Sequence, residues 1–303
     1  AVQFCLERGA AALPIGGPYS PLSYAVMADS PSCVTLLLKA GVDPSPEERW
    51  PPLIKAAQKE SLALAHMLLT AGANVNALDA YGQTALHWAA YRGNRDFIDL
   101  LLEAGIHLNT RGDDGRTALY VAVENRRIAV IERLIAAGAA LDVANNTGET
   151  ALHKACMSGN EALALLLLRA GADPARRNSV GSQPLTQARL MDKEDCVAAV
   201  VDFLTTQAYA ATLAELGLRE DDVLPETFYE RLAARQSEAA LVEWVHLGRT
   251  DVVAGLLRAG CSPDVCDGYD KSLLSLAAET RHVELVTLLL AAAKGIVGAP
   301  PSV

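Results

Sequence analysis

The chain has 303 residues, with 26 Lys plus Arg against 36 Asp plus Glu, a formal charge of -10 and a pI near 5.1. That balance argues against a nucleic-acid partner, because affinity for a phosphate backbone rests on clustered Lys and Arg. Aromatic residues are 5% of the total, so the core must come mostly from Ala, Leu, Val and Ile. The longest apolar run, Ala162 to Leu168, falls far short of the roughly 18 residues of a membrane span, and no membrane span is read in the chain.

Val2-Gln3-Phe4-Cys5-Leu6-Glu7-Arg8-Gly9-Ala10 has the pattern of Val34-Thr35-Leu36-Leu37-Leu38-Lys39-Ala40-Gly41-Val42. The chain is therefore expected to begin inside the second helix of a unit, with more protein upstream. Ser20-Pro21-Leu22 pairs with Gly41, Pro51-Pro52-Leu53 with Gly72, Thr84-Ala85-Leu86 with Gly105, Thr117-Ala118-Leu119 with Gly138, and Thr150-Ala151-Leu152 with Gly171. Each glycine follows its leucine by 19 residues, and from Leu53 to Leu185 the leucines step by 33. Every unit predicts a short capped helix, a turn, a leucine-rich second helix, a glycine stop and an outward loop.

The residue types explain those elements. Thr84, Thr117 and Thr150 stand where a side-chain oxygen caps the first free N–H groups. Pro21, Pro52 and Pro184 occupy the first helical position, where no donor is lost. Gly93, Gly159 and Gly248 lie seven beyond the repeat leucine and turn the chain between helices. The second helices, with Phe97, Ile98, Leu100, Leu101 and Leu102 or Leu163 and Leu165 to Leu168, are apolar on most of their circumference and read as buried.

Gln183-Pro184-Leu185 keeps the register, but its second helix, Asp195 to Thr205, lacks a Gly-Ala stop. The next clear unit is Ala240-Leu241 with Gly260, followed by Ser272-Leu273-Leu274. The step from Leu185 to Leu241 is 56, which is 33 plus 23 and implies an insertion. The expected organisation is repeats over 1–205, a helical insertion over 206–238, further repeats over 239–297 and a tail over 298–303. The insertion holds Leu213, Leu216 and Leu218, an acidic Glu220-Asp221-Asp222, then Pro225 at a helix start and a Phe228/Tyr229/Leu232 face. A capping or bridging helix is the expectation, with a dedicated docking element as the alternative.

These units resemble the ankyrin repeat, most specifically from Thr84 to Gly171. The resemblance implies an all-α solenoid of about eight full or partial repeats, interrupted by a helical insertion. Departures are Arg126 at the turn glycine, Asp270 at the loop glycine and Pro-Leu-Ser-Tyr in the unit of Leu22. The resemblance further implies that His87 and His153, fourth in Thr-Ala-Leu-His, bond the Thr hydroxyl and neighbouring loops. It also implies a groove, lined by loop tips and the exposed side of the first helix, that binds a partner protein. The candidates are Ala80, Tyr81, Gln83, Tyr91 and Arg92, then Asp113, Asp114, Arg116, Glu124 and Asn125. Asn146, Thr147, Glu149, Met157 and Ser158 follow, then Ser179, Val180, Ser182, Leu190 and Met191. Trp88 is assigned to packing, and the adjacent acids Asp113 and Asp114 to a solvated turn.

No catalytic constellation competes with that reading. His66, His107, His246 and His282 show no metal spacing, and Cys261 and Cys266 share a loop without a second pair, so neither metal nor cofactor is expected. Phosphate-binding glycine motifs and a nucleophile elbow are missing from the sequence. Scattered cysteines read as reduced thiols in a cytoplasmic protein. The expected function is a non-enzymatic adaptor or scaffold. The alternative is a targeting or regulatory domain of a larger enzyme or channel.

Overall fold

A computed structural model describes residues 19–46, 48–216, 226–235, 241–242, 244–245, 249–266, 271–279 and 282–294. Among them lie sixteen helices and no strand, apart from an isolated Cys266–Ser272 bridge. The chain divides into two compact units, Ala1–Gln187 and Ala188–Val303.

The first unit is a run of helix pairs: α1 Pro21–Met27 with α2 Pro31–Lys39, α3 Pro52–Lys59 with α4 Leu62–Thr70, and α5 Ala85–Arg92 with α6 Arg95–Glu103. Then come α7 Ala118–Glu124 with α8 Ile128–Ala136, and α9 Ala151–Met157 with α10 Glu161–Arg169. First helices pack on first helices and second on second, the arrangement of an all-α repeat fold. The division between units falls inside α11, Pro184–Leu190.

Local chemistry sets the helix starts. The Ser20 hydroxyl accepts the Ser23 N–H ahead of Pro21, and Asn94 and Asn160 accept from Phe97 and Leu163. The turn seven residues beyond each repeat leucine is left-handed in six successive units. Glycine supplies it at Gly93 and Gly159, whereas Asp29, Glu60, Arg126 and Asp192 adopt it with φ of 48° to 60°. Arg126 thus keeps the turn geometry without the expected glycine, at a steric cost that the surrounding packing offsets.

Leu22, Leu53, Leu86, Leu119 and Leu152 are all buried between neighbouring pairs, as are Leu64, Leu68, Phe97, Ile98, Leu101, Ile131, Leu134 and Leu163. Full burial of such a side chain contributes about 1.5–3 kcal/mol, and here the covering atoms come from the next repeat. The second helices are less enclosed than expected. Leu100, Leu102, Leu165 and Leu166 are only half-buried, because each pair has neighbours along the stack but water on its outer flank.

His87 and His153 tie one repeat to the next. The Thr84 backbone N–H donates to His87 Nδ1 at 3.1 Å, with the Thr84 hydroxyl 2.9 Å from the same nitrogen. An Nδ1 that accepts leaves the proton on Nε2, which donates to the Arg116 carbonyl at 3.0 Å. His153 does the same with Thr150 at 3.2 Å and the Ser182 carbonyl at 3.1 Å. Each imidazole therefore completes a capping box and holds the following loop.

In the second unit α12, Glu194–Leu216, runs through 205 and 206 without a break, so no boundary marks the expected start of the insertion. With no glycine stop after Thr205, Ala and Leu simply extend the helix. Its Glu194–Ala214 stretch has the length and composition of a membrane-crossing helix, with mean hydropathy 1.3, which a search for uninterrupted apolar runs passes over. Buried Val201, Thr205, Tyr209, Thr212 and Leu213 line one face of it, the pattern of a helix packed on protein. Next come α13 Glu226–Arg235, α14 Thr250–Arg258, α15 Leu273–Glu279 and α16 Val283–Ala293. Leu218, the acidic triplet, Pro225 and Gly248 lie outside the described residues.

The Phe228/Tyr229/Leu232 face of α13 is spent on core. Phe228 and Leu232 are fully buried and Tyr229 is 6% exposed, within a cluster that includes Trp244, Val253, Leu256 and Leu289. Tyr209 contacts the Phe228 and Trp244 rings at 5.2 and 5.8 Å. These side chains are inaccessible to a partner, which removes the docking alternative for this face and makes it part of the core of the second unit. Gly255 makes the packing possible: a Cβ there would fall 2.0 Å from the Tyr229 ring.

Three outcomes test this account. Gly148 has φ 78° and its Cβ would meet the Ser179 backbone nitrogen at 2.6 Å, so Gly148→Ala should lower stability by about 2 kcal/mol in urea unfolding. Gly255→Ala should cost about 1–3 kcal/mol by overpacking against Tyr229 and leave the far-UV spectrum helical. Burial holds the His87 and His153 pKa values below the ordinary 6.5, against the opposing pull of the carbonyls of Arg116 and Ser182. Unfolded histidine thus takes up protons that the folded form refuses, so this stability is complete above pH 6.5 and declines as pH falls below it. Thermal melts at pH 7.5 and 5 should show that loss. A His87→Gln/His153→Gln variant, whose amides still serve the capping boxes, should show a smaller one.

Candidate partner-binding groove

The loop tips of the first unit are held to one another through backbone. Ala80 N–H donates to the Arg49 carbonyl at 2.9 Å, Asp113 to Tyr81 at 2.9 Å, Asn146 to Asp114 at 3.0 Å and Ser179 to Thr147 at 3.0 Å. Each tip is also folded by a carboxylate or amide oxygen seven residues before the repeat leucine. Asp79 Oδ1 accepts from Tyr81 and Gln83 N–H at 2.8 and 2.9 Å, and Asn145 and Asn178 repeat the pattern. Gly112 breaks it, and there Asp114 accepts the Arg116 N–H instead. The tips therefore stand as a row shaped by backbone bonds and a few committed side chains, which leaves residues such as Tyr81, Thr147 and Val180 exposed.

That row and the first helices present side chains in columns. Three before the repeat leucine come Tyr19, Trp50, Gln83, Arg116, Glu149 and Ser182; two after it come Tyr24, Lys55, Trp88, Val121, Lys154 and Gln187. Five after it come Met27, Gln58, Tyr91, Glu124 and Met157. The early units bring aromatic rings to this face and the later ones bring charge.

In the early units Tyr81 and Tyr91 are 52% and 46% exposed. Their rings flank two tryptophans: Tyr81 to Trp50 at 5.6 Å, Trp50 to Trp88 at 6.0 Å, and Trp88 to Tyr91 at 6.2 Å, all edge to face. Trp88 combines the expected packing with a polar tie, since its indole N–H donates to Asp79 Oδ2 at 2.9 Å. Arg92 is exposed, 3.9 Å from Glu60, and Gln83 is half-buried. Lys55 Nζ lies 4.7 Å over Trp50 and 5.0 Å over Tyr19. Burial lowers the Lys55 pKa, while Glu48 and Asp79 oppose that shift.

The later units carry an ion network. Glu124 bridges Arg116 at 2.9 Å and Lys154 at 2.8 Å, and Arg116 also lies 3.5 Å from Asp114. Tyr120 donates its hydroxyl to Glu149 at 3.3 Å, and its pKa is driven well up by burial and then by that carboxylate. Asp113 is exposed at its tip, as the solvated-turn reading has it. Asn125 and Asn146 are committed to shape: their amides donate to the Val121 and Asp113 carbonyls at 2.8 and 2.7 Å. Met157 is half-buried, and Thr147 and Val180 are exposed at their tips. Leu190 and Met191, in the second unit, are exposed as well.

Tyr19, Tyr24, Trp50, Lys55, Asp79 and Lys154 are absent from the sequence-derived set. Extending the columns upstream from Gln83 and Trp88 to the units of Leu53 and Leu22 finds the first four. Asp79 has a weaker signal, the Asp/Asn recurrence at Asn145 and Asn178.

A stretch of 75 residues is 36% identical to glycerophosphocholine phosphodiesterase gde1 of Schizosaccharomyces pombe, covering 24% of this chain and 7% of that protein. The family pattern for ankyrin repeats (3 copies) matches residues 22–112, 108–178 and 130–207, more than half of the chain. With helix pairs in register, loop tips bonded in a row and Thr-Ala-Leu-His capping boxes in place, the chain belongs to the ankyrin-repeat family.

Proposed function

We propose that this chain is a protein-interaction module, an adaptor or scaffold that holds a partner protein against its loop tips and first helices. The observation that carries the reading is the placement of Tyr24, Tyr81 and Tyr91 on that face at 49%, 52% and 46% exposure. Tyr and Arg are favoured anchors because they bury much area and keep a polar end. The face is rigid before any partner arrives, since backbone bonds between tips and the capping histidines fix it, which lowers the ordering cost of association. In this reading the chain performs no catalysis and needs no cofactor or metal. A cytoplasmic setting fits the six cysteines scattered without a pairing pattern.

A second reading places the module as the targeting or regulatory part of a larger enzyme. Its support is the similarity to a phosphodiesterase of which it matches 7%. The two readings are compatible, because a regulatory module also works by holding a protein surface.

Affinity capture with the chain, followed by mass spectrometry, identifies the partner. Tyr91→Ala and Arg92→Ala should then each weaken binding by about 1–3 kcal/mol in calorimetry and leave the melting curve nearly unchanged. Groove variants that bind normally, alongside loss of binding from changes elsewhere, would reject this face. Asp113→Ala, at a solvated rim, should act chiefly on the association rate and its salt dependence.

A further inference from the structure

Aromatic residues are scarce in this chain, yet six of them, Tyr19, Tyr24, Trp50, Tyr81, Trp88 and Tyr91, gather on one stretch of the groove face. The contacts run Tyr81, Trp50, Trp88, Tyr91 with interplanar angles of 71°, 62° and 72°, and Tyr19 meets Tyr24 at 88°. Rings set at such angles turn their faces in different directions and form corners. Hydrophobic burial does not explain them, since Tyr24, Tyr81 and Tyr91 remain about half exposed.

Two cations of the chain already use these faces. Lys55 Nζ sits 5.0 Å from the Tyr19 centroid and 4.7 Å from that of Trp50, and the Arg92 guanidinium carbon lies 5.9 Å from Tyr91. Both meet the distance of about 6 Å within which a ring face attracts a cation. Two carboxylates near Lys55, both of which favour its charged form, make no ion pair within 4 Å among the described residues. Asp79 is 7% exposed and receives only neutral donors, the Tyr81 and Gln83 N–H groups and the Trp88 indole. Glu48 receives the Ser20 N–H and the hydroxyls of Ser20 and Ser23. Half-exposed electron-rich rings together with these two carboxylates, in a chain of net charge -10, complement a positive ligand.

Resting on the reading of the chain as a protein-interaction module, we propose that the aromatic stretch formed by Trp50, Tyr81, Trp88 and Tyr91 receives an arginine side chain from an extended basic segment of the partner. Arginine suits it better than lysine because a planar, weakly hydrated guanidinium stacks on a ring and loses little hydration in doing so. The segment's backbone runs past the tips, and the Arg116, Glu124 and Lys154 network provides mixed-charge contacts further along.

The test uses the whole chain and short fluorescein-labelled peptides of alternating alanine with arginine, with neutral citrulline or with glutamate. Anisotropy titrations should give the arginine peptide at least tenfold tighter binding than the citrulline peptide, and no saturable binding of the glutamate peptide. Trp50 and Trp88, two of the three tryptophans, should report the same event as a change in intrinsic fluorescence. A Tyr81→Leu/Tyr91→Leu variant, which keeps apolar bulk and removes the ring faces, should bind the arginine peptide at least fivefold more weakly with an unaltered melting curve. Tyr81→Phe/Tyr91→Phe should restore it. Equal binding of the arginine peptide by the leucine variant would reduce the effect to net charge and overturn the proposal, as would tighter binding of the citrulline peptide. The arginine site and the wider reading fail separately: if a captured partner still binds the leucine variant but is lost with Glu124→Ala or Lys154→Ala, the groove stands and the arginine site falls. A captured partner indifferent to both sets rejects both.

Discussion

A helix pair as short as α5 and α6 has no interior of its own, and the whole first unit follows from that constraint. Leu86, Leu119 and Leu152 are buried only because the next pair lies against them. Cohesion therefore resides in the contacts between repeats, and each pair must present almost the same apolar surface on its two sides. The 33-residue step is the sequence form of that requirement. Ala at positions such as Ala89, Ala90, Ala122 and Ala155 lets helices approach where larger side chains would hold them apart.

Packing sets the spacing, and polar groups set the alignment. The imidazoles of His87 and His153 each accept from the threonine that caps their own helix and donate to a carbonyl of the following loop. A rotation of one repeat against the next would leave a buried ring nitrogen unsatisfied, which is costlier than the hydrogen bond is favourable. The backbone bonds from Asp113 to Tyr81 and from Asn146 to Asp114 add the same control at the tips. Glycines such as Gly115 and Gly148 are required there because a Cβ would strike the backbone of the next tip at 2.6 Å.

Most of this organisation was legible in the sequence because a repeated requirement leaves a repeated trace. Leu, Thr, Pro and Gly at fixed offsets gave helix order, caps and turns. Legibility failed where one unit differed from the rest. The sequence places a left-handed turn at Gly93 and Gly159, whereas Asp29, Glu60 and Asp192 adopt it without a residue type that announces it. Beyond Thr205 the second helix continues to Leu216, since a missing stop is a weaker sign than a present one. The burial of Phe228 and Tyr229 depends on Gly255, distant in sequence and outside any repeat pattern. On the candidate face the columns locate positions such as Trp50 and Lys55, but their exposure and ring contacts depend on three dimensions.

The same economy that makes the core repetitive frees the groove face to vary. Positions two after the leucine hold Tyr24, Lys55, Trp88, Val121 and Lys154, residues that no common packing duty would select together. Their variation is not random along the stack. Rings and a lysine occupy the early units around Asp79, while Arg116, Glu124 and Lys154 satisfy one another in the later ones. A surface ion network of that kind adds little stability, because exposed pairs are worth at most about 1 kcal/mol each. The aromatic stretch differs: covering Tyr81 and Tyr91 removes apolar area from water, and a partner that does so gains energy the ion network cannot supply. If the chain holds a partner as proposed, the early units would supply affinity and the later units discrimination along that face.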